Sequence, residues 1–228
     1  MMEFLFLDLD DTILDFHKAE RIALSKTLES FDVAPDDEVL ARYHVINLQH
    51  WERLETGELT RDQVQEGRFR VLFQELGRTV DPVQVTRTYE RNLGIGHYFL
   101  PGAEEAVQSL HKKYRLFLAS NGTASVQHSR LTSAGLYPYF EKVFVSQNIG
   151  YNKPARDYFE ACFRQIPDFC PERAIMVGDS LTSDILGGIN AGIRTCWVNP
   201  AHAPARANIQ PDYEIVNLSQ LEEVLKTL

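Results

Sequence analysis

The sequence of 228 residues predicts an α/β fold: a doubly wound, mainly parallel sheet interrupted near its start by an inserted helical bundle. Three observations lead to it. Short apolar runs alternate with helical segments through the last three-fifths of the chain, and each run ends in polar residues. A similar run at the amino terminus is cut off by acids. Between them lies a stretch whose apolar residues keep helical spacing.

The elements follow in order. Residues 3–7 read as a buried strand, because Phe4 to Leu7 is continuously apolar and then gives way to Asp8, Asp10 and Asp11. From Phe16 to about Gly96, four sets repeat at helical spacing: Leu24, Leu28 and Phe31; Val39, Tyr43, Ile46 and Leu54; Phe69, Leu72, Phe73 and Leu76; Val85, Tyr89 and Leu93. Ala34-Pro35, Thr56-Gly57 and Asp81-Pro82 break the pattern, and Thr60 and Asp81 suit N-caps. A four-helix insert at 16–96 thus divides a core made of 1–15 and 97–228. Strands are expected at 116–119, 143–146, 174–177 and 195–198, with helices at 125–134, 156–165, 182–191 and 218–228. Residues 200–211, with three prolines, read as a surface loop.

Composition narrows the function. Hydrophobic residues are 44% and charged residues 24%, the balance of a folded, soluble protein. The net charge of −9 argues against a nucleic-acid polymer or an anionic membrane as the main partner. Cys162, Cys170 and Cys196 form neither a CxxC pair nor an even framework, so reduced thiols in a cytoplasmic protein are expected. No signal-peptide core or apolar span is present. The Asn-x-Ser/Thr sequences at Asn121 and Asn217 then read as chance matches.

In open α/β sheets ligands sit at the carboxyl ends of the strands. Those ends carry Asp8-Leu9-Asp10-Asp11-Thr12, then Ser120-Asn121-Gly122-Thr123, then Lys153 before Pro154, then Gly178-Asp179-Ser180 with Asp184. In an extended segment Asp8 and Asp10 share a face, and their repulsion asks for a cation or a shared proton. Mg²⁺, a hard cation with oxygen ligands, would satisfy them. Ser120 with the amides around Asn121 and Gly122 is suited to phosphoryl oxygens. Alone, each fragment reads as a cap, a turn or a surface lysine; together and in this order they point to one site.

These motifs resemble those of the haloacid dehalogenase-like (HAD) hydrolase superfamily, and the likeness covers nearly the whole chain. Asp8 to Thr12 is similar to the first motif, Ser120 the second, Lys153 the third, and Gly178-Asp179-Ser180 with Asp184 the fourth; the insert resembles a C1-type cap on a HAD-like Rossmannoid core. Residues 140–154, 178–192 and 195–199 resemble the pyrimidine 5′-nucleotidases that remove noncanonical nucleotides, although Gln147-Asn148 stands where many relatives carry an acid. The resemblance implies a Mg²⁺-dependent phosphomonoesterase in which Asp8 is the nucleophile and Asp10 the acid and base. Ser120, Asn121, Gly122 and Lys153 would bind phosphate. Asp8, the Asp10 carbonyl and Asp179 would hold the metal, supported by Asp184 and Thr12. The implied substrate is a small-molecule phosphomonoester, a nucleoside monophosphate first.

In the insert, Phe16, His17, Trp51, Arg68 and Phe69 are candidates for selecting the leaving group, although aromatics at helical spacing are usually core. His44 and His50 have no third ligand in view and are expected to bind no metal. Rival readings are a sugar-phosphate or phosphoglycolate phosphatase, a metal-free haloacid dehalogenase, for which Asp10 would be superfluous, and an inactive binding module, which would have lost a charged motif member.

Overall fold

The computed structural model describes residues 2–228. They form two compact units, one running to Phe16 and resuming at His97, the other spanning His17–Gly96. Phe16, expected to open the insert, falls with the α/β unit.

The helical unit is built on α1 (Phe16–Glu29), α2 (Asp37–Glu55), α3 (Arg61–Glu75) and α4 (Pro82–Leu93). Its starts are chemically marked. Thr60 and Gln63 make a reciprocal capping box, and the Asp36 and Asp81 carboxylates accept the Val39 and Val83 amides. Each such cap is worth about 1 kcal/mol. Tyr43, Phe69 and Tyr89 form the unit's aromatic core, with Phe69 5.3 Å from each of the other two rings. Arg68 is buried among them, 4.8 Å from the Tyr89 ring centre, and donates to Asn47 Oδ1 at 2.8 Å. Asn47 in turn donates to Glu20 Oε1 at 2.7 Å, so a buried amide links two buried charges.

In the α/β unit, the helices are α5 (Ala103–Leu110), α6 (Ala124–Ser133), α7 (Ser146–Ile149), α8 (Arg156–Phe163), α9 (Leu186–Ala191) and α10 (Leu221–Lys226). The strands are β1 (Phe4–Leu7), β2 (Arg115–Ser120), β3 (Lys142–Val145), β4 (Ala174–Gly178), β5 (Arg194–Val198) and β6 (Tyr213–Ile215). They form one sheet in the order β3-β2-β1-β4-β5-β6, with every neighbouring pair parallel. Side chains alternate across it. Leu5, Leu7, Leu118 and Val177 pack with Val107 of α5 and Leu221 of α10. Phe4, Phe6, Phe117 and Met176 pack with Tyr158 and Phe159 of α8 on the other face. Both faces are covered, which is the doubly wound arrangement, and each fully buried large side chain contributes roughly 1.5–3 kcal/mol.

Four details differ from the sequence expectation. Helix α5 and strand β6 are additional elements. Ser146 opens α7 instead of ending a strand. The helix expected at 182–191 begins as a π turn over Leu181–Ile185 before becoming α9, and that widened turn carries Asp184. The chain leaves and re-enters the unit side by side: the Asp15 amide donates to the Tyr98 carbonyl at 2.8 Å, and Leu100 to Ile13 at 3.0 Å. Among the described residues no helix is long and apolar enough to cross a membrane.

Candidate active site

Parallel pairing brings three strand ends to one edge. Leu7 stands beside Leu118 in β2 and Val177 in β4, so Asp8 emerges between the ends of its two neighbours. The Asp8 amide donates to the Val177 carbonyl at 2.9 Å, extending the ladder one residue and fixing where the carboxylate starts. Lys153 arrives from the loop between α7 and α8. Its Nζ donates to Asp8 Oδ1 at 2.7 Å, Asp184 Oδ1 at 2.6 Å and the Ala119 carbonyl at 2.6 Å, which engages all three ammonium protons. Lys153 is only 1% exposed and Asp8 7%, so this is a desolvated ion cluster in which geometry decides the net energy.

Two neighbours hold that arrangement. The Asn121 side chain grips the Lys153 backbone, with Oδ1 accepting its amide at 2.9 Å and Nδ2 donating to its carbonyl at 2.8 Å. A further Nδ2 bond reaches Ser183 Oγ at 3.2 Å. The side chain of Asn121 therefore positions the lysine. Gly178 allows close approach: a Cβ there would lie 2.1 Å from Asp184 Oδ2. That same oxygen accepts the Ser180 amide at 3.1 Å.

Ser120, at the end of β2, is buried, and its Oγ accepts from the Gly122 amide at 3.0 Å and from Gln127 Nε2 at 2.9 Å. A hydroxyl has two lone-pair sites and one proton, so these contacts leave the proton to be donated elsewhere. Gln147 accepts the Ala124 amide at 2.9 Å and so caps α6.

Carboxylate oxygens of Asp8, Asp179 and Asp184 lie within 4.8 Å of one another. Three carboxylates against one ammonium carry two surplus negative charges when all are ionised. The consequences show in the proton affinities. Burial, reinforced by Asp184 and Asp10 and opposed by Lys153, pushes Asp8 up to about 8. Burial and the repulsion of Asp184, Asp8 and Asp11 raise Asp179 well above the carboxylate range. Burial presses Lys153 to shed its proton, but Asp184 and Asp8 more than reverse this, and the ammonium is held above its ordinary value. The Asp179 carbonyl is anchored by Trp197 Nε1 at 2.6 Å.

Asp10 points to a different set of partners. Gln127 Nε2 donates to its Oδ2 at 2.6 Å, and Arg130 Nη1 donates to its Oδ1. Sequence reasoning missed both residues. A signal existed, because Gln127 and Arg130 occupy the buried face of α6 alongside Val126 and Leu131, where polar side chains need a reason. Asp11 adopts a left-handed backbone with φ 53° and accepts the Phe16 amide at 2.9 Å. Thr12 is buried, with no hydrogen-bond partner for Oγ1 among the described residues.

The leaving-group candidates scatter. The Phe16 ring lies 5.8 Å from the Arg130 guanidinium. Arg68 and Phe69 are turned into the helical unit's own core, which removes them from any exposed surface of that unit. Trp51 is half-buried, with Arg61 5.6 Å above its ring. His17 is exposed and lies with Glu20 and His44, their ligand atoms within 4.8 Å of one another. His44 thus has the neighbours that sequence spacing did not reveal, while His50 Nδ1 bonds the Ile46 carbonyl at 2.7 Å.

A doubly wound parallel sheet that gathers carboxylates and a lysine at its strand ends defines an α/β protein with an acidic strand-end site, and comparison names its family. The chain belongs to the haloacid dehalogenase-like hydrolases, whose profile matches residues 2–192. It is 39% identical to the HAD-hydrolase YfnB of Bacillus subtilis strain 168 over 221 residues, covering 97% of this chain and 94% of that protein. The crystal structure of YfnB bound to magnesium superposes with a TM-score of 0.94 over 98% of both chains. The pyrimidine 5′-nucleotidase PynA of Streptococcus pneumoniae strain R6 is 37% identical over 98% of this chain and 94% of its own length. The pyrimidine 5′-nucleotidase YjjG of Escherichia coli K12 is 30% identical over 98% and 97%.

Proposed function

We propose that this enzyme is a Mg²⁺-dependent phosphomonoesterase acting through an aspartyl-phosphate, with pyrimidine nucleoside 5′-monophosphates as its substrates. The observation that carries the proposal is the cluster of Asp8, Lys153, Asp179 and Asp184 beside Ser120. The names of PynA and YjjG support the substrate class.

The donor set fits a hard divalent cation: it is all oxygen, and its two surplus negative charges match one such ion. Asp8, the Asp10 carbonyl and Asp179 would hold Mg²⁺, with Asp184 in support; the ion supplies positive charge that keeps the carboxylates ionised and offsets the charge of the phosphoryl group. In the reaction an Asp8 oxygen attacks phosphorus as the ester P–O bond breaks, and the departing alkoxide takes a proton from Asp10. Water then attacks phosphorus, Asp10 recovers a proton from it, and phosphate leaves as Asp8 is regenerated. Lys153 neutralises charge on the phosphoryl oxygens while Ser120 donates its remaining proton to one of them. Gly122 supports that serine through its own amide.

The test is a panel of nucleoside monophosphates, sugar phosphates and phosphoglycolate, with kcat/KM measured in Mg²⁺ and again in EDTA. UMP or dTMP should lead, and chelation should abolish turnover. Faster release from sugar phosphates or phosphoglycolate would overturn the substrate class, and activity indifferent to EDTA would overturn the metal.

A further inference from the structure

We propose that Gln127 and Arg130 of α6 are positioning residues that hold the Asp10 carboxyl in register with Ser120, so that the group handling the leaving-group proton and the group binding the phosphoryl oxygen are set in one frame. This inference rests on the acid–base reading of Asp10.

The Arg130 side chain has no solvent exposure, although a buried guanidinium is costly unless it is paired. Its partner is Asp10, 120 positions earlier in the sequence, and the Phe16 ring lies 5.8 Å from it. One helical turn before it on α6, Gln127 uses both ends of its amide. Its Oε1 accepts from Arg130 Nη1 at 3.2 Å, which orients Nε2 toward Asp10 Oδ2 at 2.6 Å and Ser120 Oγ at 2.9 Å. Arginine has no acceptor to offer, so this orientation is the one the contacts require. The two oxygens of Asp10 are therefore held by different residues, which fixes the plane of the carboxyl as well as its position. Gly122 makes room for the bridge: a Cβ there would lie 2.3 Å from Gln127 Nε2 and 2.9 Å from its Cγ.

The chemistry predicts a signature that general loosening of the fold would not produce. A nucleoside alkoxide is a poor leaving group and needs its proton as the P–O bond breaks, whereas p-nitrophenolate departs without one. A displaced Asp10 therefore slows transfer from the nucleotide and spares transfer from the aryl ester. Because kcat/KM reports only the steps through leaving-group departure, it isolates this effect from the later attack of water.

The experiment measures kcat/KM for UMP and for p-nitrophenyl phosphate, with Mg²⁺, in wild-type enzyme and in Gln127→Met and Arg130→Lys. The first variant keeps side-chain length and removes the bridge; the second keeps the charge and removes the planar fork. For UMP the expected fall is about 10- to 100-fold, part of the range general acid catalysis commands. For p-nitrophenyl phosphate it should stay within about 3-fold, because the Gly122 amide still holds Ser120 Oγ, with a burst of p-nitrophenolate equal to the enzyme concentration because water activation has become limiting. Equal losses on both substrates, or no loss on UMP, overturn the proposal. Should Arg130→Lys fail to fold, Gln127→Met decides alone, since it introduces no unpaired charge. Asp8→Asn run alongside separates this inference from the reading beneath it: activity retained there defeats the nucleophile, while an inactive Asp8→Asn with equal losses in the α6 variants defeats only the clamp.

Discussion

Replacing Asp8 by Asn should destroy activity and at the same time stabilise the metal-free protein. The carboxyl ionises near 3.8 in an unfolded chain and is pushed up to about 8 in the folded one, mainly because it is buried, with Asp184 and Asp10 adding repulsion that Lys153 only partly offsets. Between those values the folded protein holds a proton that the unfolded chain has released, so stability falls as pH rises from about 4 to about 8 and levels off beyond. At about 1.4 kcal/mol per pH unit, keeping Asp8 protonated near pH 7 costs folding on the order of 4 kcal/mol. Asparagine has the same shape and never ionises, which removes this cost. Against the gain stands a weaker bond to Lys153, which forfeits about 1–3 kcal/mol. The net is about 2 kcal/mol, or roughly 4–8 °C in Tm for a chain of this size. Thermal unfolding by circular dichroism in EDTA, at about pH 5 and about pH 8, reads it directly: the advantage of Asp8→Asn should widen with pH and narrow when Mg²⁺ is restored. A variant no more stable than wild type near pH 8, or an advantage that does not widen from pH 5, would refute the reasoning.

Two other changes probe the same cluster from its other sides. Lys153→Met leaves the Asp8 and Asp184 carboxylates without their shared ammonium. It should lower stability in EDTA by about 3–5 kcal/mol and kcat by at least about 100-fold; unchanged thermal unfolding would show that the buried ion pairs carry no weight. Gly178→Ala would drive a methyl group to 2.1 Å from Asp184 Oδ2, forcing that side chain off Lys153 and the Ser180 amide. The expected cost is about 1–3 kcal/mol together with a clear loss of kcat/KM, and kinetics and Tm like those of wild type would contradict the close packing described for the fourth strand end.

Much of this molecule is legible in its sequence. Strand β1 announces itself because four apolar residues stop dead at Asp8. The four helices of 16–96 are readable from period and from caps such as Thr60 and Asp81, which act over a single turn. Helix α5 leaves little trace in the sequence although Ala103, Ala106, Val107 and Leu110 share a buried face, because eight residues span barely two turns. Strand β6 has three residues and is specified by pairing with β5, not by its own composition.

The residue types of the site were written in the sequence because each stands at the end of a locally patterned element, and local pattern is a short-range property. What each type does was decided by the tertiary structure. Asn121 lies beside Ser120 in the chain yet spends its side chain on Lys153, and Arg68 reads as a candidate for selecting the leaving group until Tyr43, Phe69 and Tyr89 close around it. Gln127 and Arg130 acquire their meaning only when the fold brings Asp10 across more than a hundred residues to α6. Charge on a carboxylate, too, depends on what water has been removed and which neighbours remain, and those are quantities that exist only once the chain has folded.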